Sequence, residues 1–251
     1  MENSNSRTLK AEQNVLSPIT TSFERAISLW WKHFKTFILI YWQGFRLALI
    51  PLLIFITLYL VDFKALNEAS WFLFSNLTIY IVSFLLSFYF ILRAQIAVLL
   101  FIKDDFKGEP KNLFLASRSL FWPYLGLSLL TAVLVILWTL LLIIPGIVFS
   151  VFYSLAIFVF LSEGKLGMAA IRRSYALVRG NFWQLLLRFL FFILVIIIFS
   201  SIIAMPAIPL EEGSLAFSIW DFIVQVISLL VAPIYLIFFY DVYKRLARLK
   251  K

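Results

Sequence analysis

Three arginines stand inside long apolar stretches of this chain: Arg46, Arg93 and Arg188. A charge inside a bilayer is costly, so such an arginine marks a candidate site by default. Arg46 and Arg93 each lie about ten residues, or about 15 Å of helix, from the charged end of their stretch, near the midplane of a bilayer. Gln43 shares a helical face with Arg46, and Gln95 stands beside Arg93. No carboxylate in an apolar stretch reaches that depth: Asp62 and Asp221 fall near one edge, Glu163 near the other. A guanidinium is a planar fork of donors that fits phosphate. Arg46, Arg93, Gln43 and Gln95 therefore form a candidate site for an anion or a lipid phosphate, and the alternative to a headgroup-binding protein is a transporter or flippase-like carrier of an anionic small molecule or lipid that uses Arg46 and Arg93. The competing reading has each arginine bonded to backbone carbonyls released near Gly44 or Pro51, or extended into a polar crevice. Arg188, about five residues inside its stretch, is expected to reach the surface by its own length.

A second group of cations, Arg172, Arg173 and Arg179, lies in a basic segment between two apolar stretches and suits contact with headgroups. Glu163 precedes it and is expected to be its structural partner rather than a catalytic acid. His33 is the single histidine. Zinc needs three or four ligands, so no metal is expected. The absence of cysteine excludes disulfides, thiolate metal sites and cysteine nucleophiles. No Gly-rich phosphate loop, GxSxG or HExxH occurs. The chain is thus read as non-catalytic and without a cofactor. Its basic segments alternate with apolar anchors, which fits anionic lipid, with or without a protein partner, and argues against nucleic acid.

These residues must be positioned by membrane helices. The 251 residues are 63% hydrophobic with a net charge of +9, against about 45–50% apolar in soluble domains. One core of this size cannot hide the excess, which must face lipid. Spans are expected at about 37–61, 76–102, 122–144, 147–162, 183–204 and 215–239. A turn signal stands at Pro145-Gly146 and leaves the fourth span short, so either the hairpin turns inside the membrane or the span boundary is shifted. Residues 1–17 read as a polar cytosolic tail, 18–241 as one membrane domain and 242–251 as a basic tail. The first 35 residues lack the apolar core and cleavage site of a secretory signal, so the first span is expected to direct insertion. Eighteen of the 22 lysines and arginines fall on one side of this scheme, in the N-terminal segment, the loops after spans two and four, and the tail. Lys64 alone lies opposite, which places both termini in the cytoplasm. Amphipathic segments precede spans one, three and five. In the third of them Ala170, Ile171, Ser174, Leu177 and Val178 share one face. The order of segment, span, turn and span repeats three times. The fold expected is all-α and polytopic, with six spans built as three two-span units.

The polar marks between residues 145 and 183 carry a resemblance. They are Pro145-Gly146 after a span, Glu163-Gly164 at the end of the next, the AIRRSY run from Ala170 to Tyr175, and Gly180-Asn181-Phe182-Trp183 entering another. This order resembles the membrane domain fused to some bacterial glycerophosphoryl diester phosphodiesterases, and related free-standing six-span proteins. The resemblance covers about the second half of the chain. It implies a bacterial inner-membrane location and no catalytic role, because hydrolysis in the fused enzymes belongs to a soluble barrel, which this sequence lacks.

Overall fold

The computed structural model describes residues 16–62, 70–211 and 214–250, with residues 52, 54–62, 70–77 and 80 described by their backbone alone. Helices follow one another: α1 (Ile19–Lys32), α2 (Phe34–Asp62), α3 (Ser70–Lys103), α4 (Pro110–Leu141), α5 (Ile143–Tyr153), α6 (Ala156–Glu163), α7 (Gly167–Val178), α8 (Phe182–Ala204), a 3-10 turn at Met205–Ala207, and α9 (Leu215–Leu249). No strand occurs among the described residues. Five segments among them are long and apolar enough to cross a membrane: Ile81–Lys103, Pro110–Leu141, Ile143–Glu163, Phe182–Ala207 and Leu215–Leu249. The chain is therefore all-helical, with the makings of a multi-pass membrane protein. The first expected span falls in α2, and its far half lies beyond the described side chains. The expected N-terminal tail lies largely outside the described residues, which begin at residue 16.

The helices form two compact units, one of Met1–Lys32 with Pro123–Lys251 and the other of His33–Trp122. In the second, α2 and α3 pack antiparallel through small residues. A Cβ on Gly44 would stand 2.7 Å from Ala94 Cβ and 2.9 Å from the Phe90 carbonyl oxygen. Farther along α2, the Ser87 hydroxyl reaches the Ala48 carbonyl. Small side chains let two helix backbones approach closely in apolar surroundings. Phe37 meets Phe101 edge to face near the other end of the pair, with ring centroids 5.5 Å apart.

In the first unit, α1 packs along α9. Phe23 sets its edge against Phe191 and Phe192 of α8, and Trp30 Nε1 donates to the Leu230 carbonyl at 2.8 Å. That carbonyl lies one residue beyond the one that Pro233, inside α9, leaves without its usual donor. Phe238, Phe239, Leu177, Leu185 and Leu246 are fully buried here.

The interruptions differ from the sequence expectation in three places. The turn expected at Pro145-Gly146 falls at Leu142, which is extended (φ −161°, ψ 139°), and α5 begins at Ile143. Proline in the first turn of a helix costs little, because its missing N–H would be unpaired there. The segment expected to be a short span thus becomes the 21 residues Ile143–Glu163, with a break between α5 and α6. Ahead of the third span, the expected separate surface segment is continuous with it, in a 32-residue helix that runs through Pro123. The expected basic tail is the end of α9, where Val242, Tyr243 and Leu246 are buried.

Gly146 is needed for close approach: a Cβ there would fall on the Thr139 hydroxyl and stand 2.8 Å from Thr139 Cα. Trp138 and Phe149 stack beside it, 4.1 Å between centroids. Gly146→Ala is expected to force the two legs apart at a cost of about 1–3 kcal/mol. Thermal unfolding in detergent micelles should show the melting temperature falling by several degrees; an unchanged value would contradict this packing.

Candidate functional site

The four residues of the candidate intramembrane site are not brought to one point. Arg93, on α3, is 7% exposed. Its Nη2 donates to the Phe114 carbonyl at 2.6 Å and its Nε to the Ser117 hydroxyl at 3.2 Å, both in the first turns of α4. The Phe114 ring lies 4.3 Å from the guanidinium carbon and the Tyr89 ring 5.4 Å. Arg93 is therefore occupied as a clamp between helices, held by a carbonyl, a hydroxyl and two aromatic faces. Arg46 is exposed on α2 and donates to Gln43 Oε1 at 3.1 Å within its own helix. Gln95 is half-buried. Among the described residues the two guanidiniums share no hydrogen-bond partner.

Arg188 departs from its expected place at the surface. It is 4% exposed, donating from Nη1 to the Gln184 carbonyl and from Nη2 to the Ser17 carbonyl at 2.6 Å. Its Nε is buried without a hydrogen-bond partner. Arg188 thereby ties Ser17, two residues before α1, to α8. Nearby, Asp241 on α9 accepts from Arg245 Nε at 2.9 Å and pairs with Arg25 at 3.5 Å. Asp241 and Arg245 are four apart on one helix, a spacing that brings opposite charges together. Reading the region as a tail concealed that signal.

The basic segment forms α7, and its three arginines divide. Arg173 is half-buried and donates from Nε to both oxygens of Glu163, at 3.2 and 3.1 Å. The same carboxylate takes Lys165 Nζ at 2.8 Å and the Tyr243 hydroxyl at 3.3 Å. Glu163 is thus spent as an acceptor that joins the end of α6, the α6–α7 turn, α7 and α9. Arg172 and Arg179 are exposed instead. They share a face of α7 with Met168 and Tyr175, and both of those are also exposed. Ala170, Ile171, Ser174, Leu177 and Val178 are buried on the opposite side.

The remaining motif residues build the corner that presents this face. Gly164 caps α6 at φ 68° and Gly180 follows α7 at φ 97°, both in the left-handed region that side chains resist. The Ser174 hydroxyl, fully buried, donates to the Phe152 carbonyl at 2.7 Å. Tyr175 meets the Phe152 ring at a tilt and Phe182 stacks on it, with centroids 4.5 and 5.3 Å away. Asn181 stands at the start of α8, and its carbonyl accepts from Leu185. Lys250, missed as a partner by sequence reasoning, donates to the Ala176 carbonyl at 2.5 Å and to the Arg179 carbonyl. A lysine on the last carbonyls of a helix is a favourable cap. Partial burial, with Arg173 and Arg179 close by, holds the Lys250 ammonium below its ordinary value.

Comparison of the chain with protein-family models, curated proteins and solved structures finds no match. The site must be read from its own chemistry. It presents two exposed arginines beside exposed apolar side chains, on a corner braced by Glu163 and Ser174.

Removing the Ser174 hydroxyl should leave the Phe152 carbonyl unbonded in an apolar setting, at a cost of about 1–3 kcal/mol. Ser174→Ala is thus expected to lower the unfolding temperature by several degrees, while Arg172→Ala, on the exposed face, leaves it nearly unchanged. Equal effects from the two variants would refute this division of roles.

Proposed function

We propose that this chain is a non-catalytic integral protein of a bacterial inner membrane that engages anionic lipid headgroups through the exposed face of α7. The single observation that carries the reading is the stripe of Met168, Arg172, Tyr175 and Arg179, bounded by Leu166, 57% exposed, and Trp183, 73% exposed. Basic side chains interleaved with exposed apolar ones suit a helix lying in the headgroup layer, with tryptophan at its edge. An acidic surface on a protein partner would reach the same stripe, and competition with lipid would reveal it.

In this reading α2 is also a span, giving six crossings with both termini in the cytoplasm. The spans pair as three successive two-span units, entered by α1, by the first turns of α4 and by α7. The positive-inside distribution of lysine and arginine supports that orientation. The resemblance from Pro145 to Trp183 supports kinship with the membrane domain of the phosphodiesterase family, and the inner-membrane location is proposed on that ground.

Each basic residue near an anionic surface contributes about 1 kcal/mol. The double substitution Arg172→Ala/Arg179→Ala should therefore weaken retention of phosphatidylglycerol over phosphatidylcholine about tenfold or more. The measurement is native mass spectrometry from mixed micelles, repeated as salt is raised. Unchanged retention in the double variant sinks the headgroup reading. Because the chain has no cysteine, single cysteines at Leu166 and Lys64 report topology directly. Reaction of the first from the cytoplasmic side and the second from the opposite side is the expected outcome.

A further inference from the structure

We propose that Arg46 and Gln43 form a separate lipid site on α2, one that holds the phosphate of an anionic phospholipid of the cytoplasmic leaflet. The inference rests on reading α2 as a span, and it is independent of α7. Arg46 stands on an exposed face of α2 that is otherwise apolar, with Trp42, Phe45, Ile50 and Leu53 all exposed. A guanidinium on a lipid-facing surface needs an anionic or polar partner there.

Among the described residues no carboxylate pairs with Arg46. Neither α2 before Asp62, nor α3, nor the first turns of α4 contain an aspartate or glutamate. Arg93, the cation expected to share a site with Arg46, is committed elsewhere, buried on the Phe114 carbonyl and the Ser117 hydroxyl. A counter-charge from a bound anion fits this setting.

Direction decides which source fits. Arg46 Nη2 bonds Gln43 Oε1, one turn back along α2. Helical side chains lean toward the N-terminal end of their helix, and that end is the cytoplasmic one in the six-span reading. At the level of Gln43 the guanidinium stands about 9 Å inside the start of the expected span at Phe37. Arginine side chains at such depths draw headgroups and water inward by local thinning. A carboxylate on a partner helix at the midplane would instead call for an arginine that stays level or points away from that end. Phosphate also accepts two parallel N–H bonds from one guanidinium. The Gln43 amide group, its oxygen occupied by Arg46, keeps two N–H donors for a further phosphate or glycerol oxygen. Trp42, beside them, supplies the aromatic edge found where headgroups meet acyl chains.

The test uses the full chain, purified into mixed micelles of phosphatidylglycerol and phosphatidylcholine, with bound lipid counted by native mass spectrometry. Wild type is expected to retain phosphatidylglycerol at this site at salt concentrations that strip lipid from α7. Arg46→Gln should weaken that retention about tenfold, the equivalent of one lost charged hydrogen bond. Arg46→Lys should fall between the two, because it keeps the charge and loses the fork. Gln43→Leu should weaken retention without altering charge, and Arg172→Ala/Arg179→Ala should leave the salt-resistant lipid in place. Unfolding temperatures equal to wild type exclude misfolding, and Gln43→Leu serves if Arg46→Gln is unstable. Undiminished lipid retention in Arg46→Gln overturns the proposal, and so does loss of a co-purifying protein in place of lipid. A cysteine at Lys64 that reacts only from the cytoplasmic side would overturn α2 as a span, an outcome distinct from failure of the lipid assay.

Discussion

A backbone carbonyl left without a donor in apolar surroundings costs several kcal/mol, and much of this structure answers that cost. Pro51 and Pro233 each remove a donor within a long helix. In both cases an outside group reaches the carbonyl three residues before the proline: Ser87 at Ala48 and Trp30 at Leu230. Where α5 ends, Ser174 bonds Phe152. Each of these bonds, next to the break rather than on the freed carbonyl at the prolines, joins two helices. The defects in the helices are thus the places where side chains fix their packing, and the weak directional preference of apolar surfaces is supplemented by specific hydrogen bonds.

Two of the three buried-sequence arginines belong to the same pattern. Arg93 and Arg188 are nearly inaccessible, and each donates to a carbonyl of another segment, at Phe114 and Ser17. A guanidinium in such a place is costly as a charge, but its several donors can satisfy carbonyls on two elements together. Their depth in the sequence suggested ligand chemistry, and their geometry assigns them to cohesion. Arg46 differs because, among the described residues, its hydrogen-bond partner is on its own helix, and its surroundings are open.

The polar marks between Pro145 and Trp183 are likewise architectural. Ser174, Tyr175 and Phe182 converge on Phe152. Glu163 gathers Lys165, Arg173 and Tyr243, and Gly164 and Gly180 allow the turns on either side of α7. A corner of this kind constrains few positions within a mainly apolar sequence. The motif therefore marks how α7 is held, and the proposed chemistry lies on the exposed residues that the motif leaves free to project.

The buried stripe of α7 was legible from residue spacing, because periodicity alone decides which side chains share a helical face. Long continuous apolar runs likewise determined that the chain is helical and rich in segments able to cross a membrane, since a run of about 20 apolar residues has the length of a spanning helix. The place of the turn near Pro145-Gly146 stayed open in the sequence because proline is compatible with both a turn and a first helical turn. Packing against Thr139 gives Gly146 its actual role. Whether Arg46 meets Arg93, or Arg173 parts from Arg172, was decided by contacts between residues distant in sequence. Spacing assigns a side chain to a face of its own helix, and only the tertiary structure supplies the helix, carbonyl or carboxylate that waits there.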